Sequence, residues 1–333
     1  MIKKQFKYVG FLTLLLVSAS AKVPRLLDPI IAKPVVINGQ MVEGARVKTH
    51  APLHFLNAWS LKSSYKYFGG VSAMLHDSSG FTALTDSGTL FRFDMATNGT
   101  IRKGRVAPLP TGCAQDRIKY SYDTESMTRD PRSGEILIGF EWRNAICRAN
   151  ASLMRAIRVS QPRAMRGWPQ NGGPEAMVTL HDGRTLIFEE RAPWGPDTGE
   201  GLIFIGDPTA NVMEPQTFRY KPPSGFRPTD AAQLPDGRIL IVNRQYQFPI
   251  SFLTEITIVP ADSVKADAIV TGKTVARIDD PVIADNFEAI AISEANGHIF
   301  IWLMSDNNFN AYQHTYLVQF ELVDGAKPST LAP

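Results

Sequence analysis

The sequence predicts an all-β protein, a six-bladed β-propeller of four-stranded antiparallel blades. Three observations support this prediction. A hairpin pattern recurs five times at nearly constant spacing. The apolar runs within each copy are almost continuous, as in strands that neighbouring blades cover on both faces. No segment has sustained apolar spacing of the helical kind, so the repeat indicates β-blades rather than helical units.

Each copy begins with an acidic residue or a serine, continues through two apolar runs separated by a turn, and ends at a polar residue. The copies run from Ser72 to Asp86, Glu125 to Glu141, Glu175 to Glu190, Asp230 to Asn243 and Glu288 to Asp306. Their starting positions are 53, 50, 55 and 58 residues apart. The 333 residues less a 21-residue leader leave 312, and a period near 54 then gives about six blades.

The turns inside the copies are typical of β-hairpins. Asp182-Gly183 and Asp236-Gly237 each separate two apolar runs, and Ser133-Gly134 and Asn296-Gly297 occupy the same place in their copies. Glycine accepts the positive φ that tight hairpin turns require, so such a pair between apolar runs is a strong hairpin signal. Each of these copies therefore predicts two adjacent antiparallel strands.

The two ends of the propeller have weaker patterns. Residues 33–39 (KPVVING) and 54–61 (HFLNAWSL) resemble strands of an incomplete first blade, and Thr315–Leu322 (TYLVQFEL) is a further strand near the C-terminus. We expect this last strand to pair with one of the early strands. The N-terminal and C-terminal strands would then share the closing blade and complete the ring.

The first 21 residues have the pattern of a cleavable signal peptide. A basic stretch over residues 3–7 precedes an apolar run over 9–17, and residues 19–21 (ASA) form a small-residue cleavage site. The apolar run is shorter than the ~20 residues that span a bilayer. We expect cleavage after Ala21, a periplasmic or secreted protein, and no membrane span after cleavage. The predicted organisation is a signal peptide over 1–21, one propeller domain over 22–324 and a tail over 325–333.

The charge and the two cysteines add further limits. The predicted leader holds three of the 35 basic residues, so the remainder has 32 basic and 32 acidic residues. No basic stripe with interleaved aromatic residues occurs, and we expect no nucleic-acid partner. Cys113 and Cys147 form either a disulfide, which an exported chain allows, or two buried thiols. A bridge would contribute roughly 3–4 kcal/mol in the loop-entropy model.

The polar residues of the repeat form the candidate site. Equivalent positions of successive blades face the same region, so they should meet near one end of the central channel. The acids that open four copies, with the acid that ends the last copy, are Glu125, Glu175, Asp230, Glu288 and Asp306. Clustered carboxylates repel one another unless a cation or a proton neutralises them. Because Ca²⁺ prefers such mixed oxygen ligands, the pattern predicts a calcium site.

Arginines near the same strand ends have two interpretations. Arg143, Arg191 and Arg244 each follow shortly after a strand-end polar residue. Beside a cation they would bind phosphate or carboxylate bidentately, and these three are therefore the candidate catalytic residues. Alternatively, they and Arg227 only neutralise the carboxylates, and no metal ion binds. The chain has no GxSxG, P-loop, HExxH or GxGxxG motif that would indicate another chemistry.

Three groups of short motifs occur in order along the chain. They are residues 68–73 (FGGVSA) with 85–88 (TDSG), residues 123–126 (DTES) with Glu141, and residues 286–289 (NFEA) with 305–308 (SDNN) and 313–315 (QHT). Together they resemble the phytase-like β-propeller family, also described as "esterase-like activity of phytase", over roughly residues 55–322. Ser126 and Ala289 stand where that family usually has glycine, and Asn307 replaces the second Asp of its SDDN motif.

The resemblance implies a propeller fold and hydrolysis of an ester. With the predicted calcium site it leads to one hypothesis, an exported calcium-dependent phosphoesterase or broader esterase. The enzyme would act on a small anionic, phytate-like substrate at the channel mouth. Two alternatives stay open: a non-catalytic periplasmic binding or scaffold propeller, and a calcium-dependent lactonase-type hydrolase. The sequence leaves the oligomeric state undetermined.

Overall fold

The computed structural model describes residues 30–96, 99–114, 119–190, 197–210, 212–248 and 251–323. Within these ranges the chain forms 24 strands, which are grouped in five sheets. The innermost strands of the five sheets contact one another in a closed ring, which is the arrangement of a β-propeller. The sheets are called blades 1 to 5 in the chain order of their innermost strands. The predicted signal peptide and tail lie outside the described residues.

The first four strands precede blade 1 and do not form a blade of their own. They are β1 (Lys33–Pro34), β2 (Ile37–Met41), β3 (Lys48–Thr49) and β4 (Leu53–Ser63). Blade 1 consists of β5 (Val71–Asp77), β6 (Gly80–Thr85), β7 (Thr89–Met95) and β8 (Ile101–Pro108). Strand β1 pairs with β8 at the outer edge of this blade.

Blades 2 and 3 follow the same antiparallel order from the inside outwards. After one helical turn, α1 (Lys119–Tyr122), blade 2 consists of β9 (Thr124–Arg129), β10 (Ile136–Phe140), β11 (Ala145–Ala149) and β12 (Ala156–Ser160). After a 3₁₀ turn (Arg163–Met165), blade 3 consists of β13 (Pro174–Thr179), β14 (Arg184–Glu189), β15 (Gly199–Ile205) and β16 (Gln216–Lys221).

Blades 4 and 5 complete the ring. The next strands along the chain are β17 (Arg227–Gln233), β18 (Ile239–Gln247) and β19 (Ser251–Val259). They are followed by a 3₁₀ turn (Ala261–Ser263), β20 (Ile269–Thr271) and β21 (Lys273–Ile278). Blade 4 contains β17, β18, β19 and β21, with β3 at its edge, whereas β20 pairs parallel to β16 of blade 3. Blade 5 contains β22 (Asn286–Ala295), β23 (His298–Asp306) and β24 (Thr315–Leu322).

The propeller has five blades, and the predicted number of six is wrong. The five hairpins of the repeat are all present as the two innermost strands of each blade. The sixth blade was expected because the residues before Ser72 are enough for one more unit. Those residues instead supply outer strands to three different blades: β1 to blade 1, β3 to blade 4, and β2 and β4 to blade 5.

The predicted closure of the ring is confirmed. Strand β24 pairs antiparallel with β4, and β2 adds to the outer side of β4. Blade 5 therefore combines strands from the beginning and the end of the propeller. Closure in this way leaves the ring without an open seam between its first and last blades, which is how propellers manage their strand edges.

The core lies between neighbouring blades. Trp59 and Trp302 of blade 5 pack with Phe81 and Phe91 of blade 1, and all four side chains are buried. Fully burying a side chain of this size contributes roughly 1.5–3 kcal/mol. The apolar runs of the sequence are therefore continuous because each blade is covered on both faces. Within the described residues, no helix is long and apolar enough to cross a membrane.

The structure joins Cys113 and Cys147 in a disulfide, so the first of the two alternatives is the one observed. Cys113 belongs to the connector between blades 1 and 2, and Cys147 lies in β11. Both cysteines are buried in an apolar cluster that also contains Ile138 and Phe140. The bridge fastens the connector that leads to α1 against the second blade.

One irregularity recurs in all five innermost strands. Near its channel-mouth end each strand has a β-bulge, where one residue is left without a partner in the neighbouring strand. The five bulged residues, in blade order, are Ser72, Glu125, Glu175, Thr229 and Glu288. A bulge turns a side chain away from the regular alternation of the strand and is frequent beside functional sites.

Candidate metal centre at the channel mouth

The bulges bring three glutamates to the same end of the channel. Glu125, Glu175 and Glu288 lie near the start of three of the innermost strands. Glu175 and Glu288 both raise the pKa of Glu125, and Glu288 also raises the pKa of Glu175. Glu175 is buried, whereas the other two are half-buried. The remaining two blades have Ser72 and Thr229 at the same position, and both hydroxyls donate to a backbone carbonyl of the next blade.

A second set of acids comes from the second strand of four of the five hairpins, and blade 4 has Asn243 at this position. This strand ends beside the bulge, so the residue at its end lies next to the bulged residue. The acids at this position are Asp86, Glu141, Glu190 and Asp306. Asp123, which immediately precedes β9, adds one more carboxylate. We call these five residues together with Glu125, Glu175 and Glu288 the carboxylate cluster.

Two groups within the carboxylate cluster have the spacing of a metal site. Asp123, Glu125 and Glu141 each offer a carboxylate oxygen, and these oxygens lie within 4.8 Å of one another. The same holds for Glu141, Glu175 and Glu190. Glu141 belongs to both groups, so the two groups have one residue in common. Clustered carboxylate oxygens are the donors that Ca²⁺ prefers, and the residues therefore fit a hard divalent cation.

Arg244 is a cation within this cluster. One of its terminal nitrogens donates to Glu288 Oε1 at 2.6 Å and to Asn286 Oδ1 at 2.8 Å, and the other donates to Glu190 Oε1 at 2.7 Å. Asn286 is fully buried and also donates to Glu288 Oε1 at 2.9 Å. Arg244 thus joins blades 3, 4 and 5, and its charge is already shared by two carboxylates.

The carboxylates nearest to blade 2 face mostly negative neighbours. Burial raises the pKa of Glu125 well above its usual range, and Glu175 and Glu141 raise it further. For Glu141, burial and then the Asp123 carboxylate raise the pKa to about 8, although a hydrogen bond with Glu175 acts in the opposite direction. That hydrogen bond requires a proton on one of the two carboxyls.

The blade 3 and blade 5 carboxylates behave in the same way. Burial raises the pKa of Glu175 well above its usual range, and Glu190 adds to this, while Arg244 lowers it. Burial and the neighbouring Glu288 likewise raise the pKa of Asp306. Without added positive charge, the protonated forms of these groups are favoured, because their ionised forms repel one another in a poorly solvated site. A bound divalent cation would reverse that preference.

The structure places Asp230 away from the equivalent position in its blade. The bulge of blade 4 falls on Thr229, so Asp230 is the next residue along the strand. Its two carboxylate oxygens accept hydrogen bonds from the backbone N–H groups of Ala231 and Ile290, both at 2.8 Å. Burial raises the pKa of Asp230, and the groups that oppose the shift are these two N–H donors. Asp230 therefore connects blade 4 to blade 5.

Two of the three predicted arginines lie within the described residues, and they have different surroundings. Arg244 lies in the carboxylate cluster. The Arg143 guanidinium packs on the Phe140 ring at 4.5 Å and donates to the Cys113 carbonyl at 3.0 Å, so it supports the connector that holds the disulfide. Arg191 lies outside the described residues.

Several residues of the cluster were not among the predicted metal ligands. Asp86, Glu141 and Glu190 were noted as the polar ends of their copies, Asp86 and Glu141 also in motifs, and Asp123 only in a motif. Asn286, which binds Glu288 of the cluster, was likewise noted only in a motif. Their signal in the sequence is positional, because each follows or precedes a strand of a hairpin at the channel mouth. Recognising it requires knowing where the bulges fall, since only then do both ends of a hairpin point to one place.

The fold and site define a β-propeller with an acidic channel mouth. A comparison with known families identifies which propeller this is. The phytase-like family, described as esterase-like activity of phytase, matches residues 66–309. The chain therefore belongs to this family, as the motif resemblance indicated. No curated protein matches the chain.

Three solved structures to which the chain is similar are distant in sequence. An endo-arabinase from Bacteroides thetaiotaomicron is 11% identical with a TM-score of 0.43, over 76% of this chain and 94% of that one. A GH43 β-xylosidase/α-arabinofuranosidase from a compost microbial metagenome is 8% identical with a TM-score of 0.43, over 88% and 93%. A hypothetical protein from Leishmania major is 8% identical with a TM-score of 0.42, over 87% of both chains. Similarities of this size say nothing about activity.

Proposed function

We propose that this protein is an exported, calcium-dependent phosphoesterase that acts at the channel mouth. The observation that carries the proposal is the pair of carboxylate groups that share Glu141. Three acids in each group offer oxygens within 4.8 Å, which suits two neighbouring cations better than one. Membership of the phytase-like family supports the choice of a phosphate ester as the substrate, and phytate is the first ester to test. Export rests on the predicted signal peptide.

The charge of the site supports a cation in the working enzyme. A phosphate group is itself negative and would be repelled by the carboxylate cluster at neutral pH. Bound Ca²⁺ would supply positive charge for the phosphate oxygens and would lower the pKa of a bound water. The proposed ligands are Asp123, Glu125, Glu141, Glu175, Glu190, Glu288 and Asp306. Asp230 is left out of this set because both of its oxygens already accept backbone N–H groups.

The arginines near the site have different proposed roles. Arg244 orients Glu190 and Glu288 through its hydrogen bonds, and we propose that it also stabilises charge on the substrate. Arg143 and Arg191 were predicted for that second role, and for Arg143 the contacts with Phe140 and Cys113 favour support of the connector instead. In the reaction, the oxygen of water forms a bond to phosphorus, the bond between phosphorus and the ester oxygen breaks, and the alcohol leaves with a proton.

Turnover of phosphate esters tests this proposal. Purified protein would be assayed with phytate and 4-nitrophenyl phosphate in Ca²⁺, in Mg²⁺ and in EDTA. We expect turnover in Ca²⁺ only, and its loss by roughly 100-fold or more in Glu141→Gln, because that residue belongs to both ligand groups. Asp182→Asn, an exposed acid in the hairpin turn of blade 3, is the matched control and should retain full activity.

The same assay separates the alternatives. Hydrolysis of lactones but not of phosphate esters would favour the lactonase-type enzyme. Calcium binding without turnover of either class would favour a binding or scaffold propeller. Turnover that is equal in Ca²⁺ and EDTA would contradict the proposed role of the metal ion.

A further inference from the structure

Two aromatic side chains form a stacked pair beside the carboxylate cluster. The rings of Tyr120 and Trp142 lie 4.2 Å apart between centroids with 25° between their planes. Tyr120 is 48% exposed although it is a large ring. A stacked aromatic pair that stays exposed forgoes part of the free energy that burial of its surface would provide. A ligand that covers the pair would recover that free energy.

The position of the pair ties it to the candidate metal centre. Trp142 directly follows Glu141, and Tyr120 precedes Asp123 by three residues in α1. Asp123 and Glu141 belong to the same carboxylate group, with oxygens within 4.8 Å of each other. The two aromatic residues therefore enter from the two chain segments that supply this group.

The segment that carries Trp142 is held in place by the fold. Its turn is closed by the Asn144 N–H, which donates to the Glu141 carbonyl at 2.8 Å. The Asn144 side chain donates to the Trp168 carbonyl at 2.9 Å, which fixes this turn against the connector that leads to blade 3. Trp142 is thus positioned before a ligand arrives, and ordered groups bind at a lower entropic cost.

We propose that Tyr120 and Trp142 form a platform that selects phosphate esters whose alcohol part carries a planar aromatic ring. The inference rests on the proposed function, because it requires the phosphate to bind at the neighbouring carboxylate cluster through a cation. A third planar ring would extend the existing stack on its exposed side. Aryl and nucleoside phosphates have such a ring close to the phosphate, whereas a saturated ring has no π-face to stack.

A pair of non-hydrolysable ligands tests the selection. Benzylphosphonate and cyclohexylmethylphosphonate differ in the planarity of one six-membered ring and carry the same phosphonate. Isothermal titration calorimetry in Ca²⁺ would measure both affinities for the whole protein. We expect the wild type to bind benzylphosphonate roughly tenfold more tightly. Tyr120→Ala and Trp142→Ala should remove that preference and leave the affinity for the saturated ligand unchanged.

Two control variants distinguish stacking from a structural role of the pair. Tyr120→Phe keeps the ring and should keep the preference. Phe248→Ala removes a ring that is 90% exposed in another blade and should also keep it. If the pair only supports the loop, the alanine variants would weaken both phosphonates equally, and the inference would be wrong.

The outcomes also separate this inference from the proposed function. Equal affinities for the two phosphonates in the wild type, together with turnover of phytate in Ca²⁺, would overturn the aromatic platform and leave the phosphoesterase standing. Binding of neither phosphonate would overturn both. A tenfold preference that Tyr120→Ala abolishes would support the platform whether or not the esters are turned over.

Discussion

Asp230 and Glu175 are both buried acids near the start of an innermost strand, yet their surroundings differ. Asp230 accepts two backbone N–H groups, one of them from the next blade. Glu175 faces Glu141 and Glu190, and the cation that acts on it, Arg244, is shared with other acids. Burial raises the pKa of both residues.

The difference shows that burial of an acid does not by itself indicate a metal site. Each oxygen of Asp230 accepts a backbone N–H group, and among the described residues Asp230 belongs to neither carboxylate group with metal-site spacing. In the carboxylate cluster, burial and neighbouring acids raise the pKa of Glu125, Glu141 and Glu175, and this crowding of carboxylates is the basis for proposing a cation. Calcium should therefore change the effect of substitutions in the carboxylate cluster but not at Asp230, and three predictions follow from this contrast.

The largest effect is expected for Asp230→Ala. The substitution leaves two buried N–H groups, of Ala231 and Ile290, without an acceptor, and each unsatisfied group costs about 1–3 kcal/mol. We expect the free energy of unfolding to fall by about 2–4 kcal/mol in denaturant titrations. The loss should be the same in Ca²⁺ and in EDTA. A loss that appears only in Ca²⁺ would mean that Asp230 is a metal ligand.

A smaller effect of mixed sign is expected for Glu175→Gln. In EDTA the amide replaces a carboxyl whose pKa burial and Glu190 raise, so the stability should be unchanged or higher by up to about 1 kcal/mol. In Ca²⁺ a ligand is lost, and the calcium-dependent gain in unfolding free energy should shrink by about 1–2 kcal/mol. Asp182→Asn in the same blade is the control that should change neither value. Equal destabilisation of Glu175→Gln in both buffers would contradict the metal site.

The smallest expected effect is the change in the unfolding free energy of the metal-free protein per pH unit. Raised pKa values mean that the folded state binds more protons than the unfolded chain, so stability is greatest below the ordinary glutamate pKa and is lost as the pH rises. For Glu141, with a pKa of about 8, the window runs from about pH 4.5 to 8.

We expect the unfolding free energy in EDTA to decline by up to about 1.4 kcal/mol per pH unit in the middle of this window for each carboxyl that is protonated only in the folded state. Saturating Ca²⁺ should flatten or reverse the slope, because metal ligands must be deprotonated. Thermal melts at a series of pH values in both buffers measure this. A stability that rises with pH in EDTA would show that the cluster is not protonated in the folded state.

The sequence predicted the blade hairpins and the closing strand pair because both depend on local signals. Asp-Gly turns indicate the hairpins, and the apolar run of Thr315–Leu322 indicates a strand that requires a neighbouring strand. The number of blades does not depend on local signals. Packing across the ring decides whether Lys33–Pro34 and Lys48–Thr49 form a blade of their own or pair with the edges of other blades. No short motif in the sequence indicates that packing.

The candidate site was predicted in part for a similar reason. Glu125, Glu175, Glu288 and Asp306 do meet at the channel mouth, because repeat positions that are equivalent in sequence are equivalent in space. Asp230 does not, because the bulge in its blade falls on Thr229, one residue earlier. A one-residue shift turns a side chain to the other face of a strand, and an acid next to a threonine does not show in the sequence which of them is bulged.

The most direct test of the account is a thermal melt with Ca²⁺ and with EDTA on three proteins: the wild type, Glu288→Gln and Asp230→Asn. A ligand at a hundredfold excess over its dissociation constant adds about 2.7 kcal/mol of stability. We predict that Ca²⁺ raises the midpoint of the wild type and raises that of Glu288→Gln much less. Asp230→Asn should start lower but gain as much from Ca²⁺ as the wild type. Identical midpoints of the wild type in Ca²⁺ and EDTA would contradict the account and leave a metal-free channel whose carboxylates hold protons and pair with Arg244.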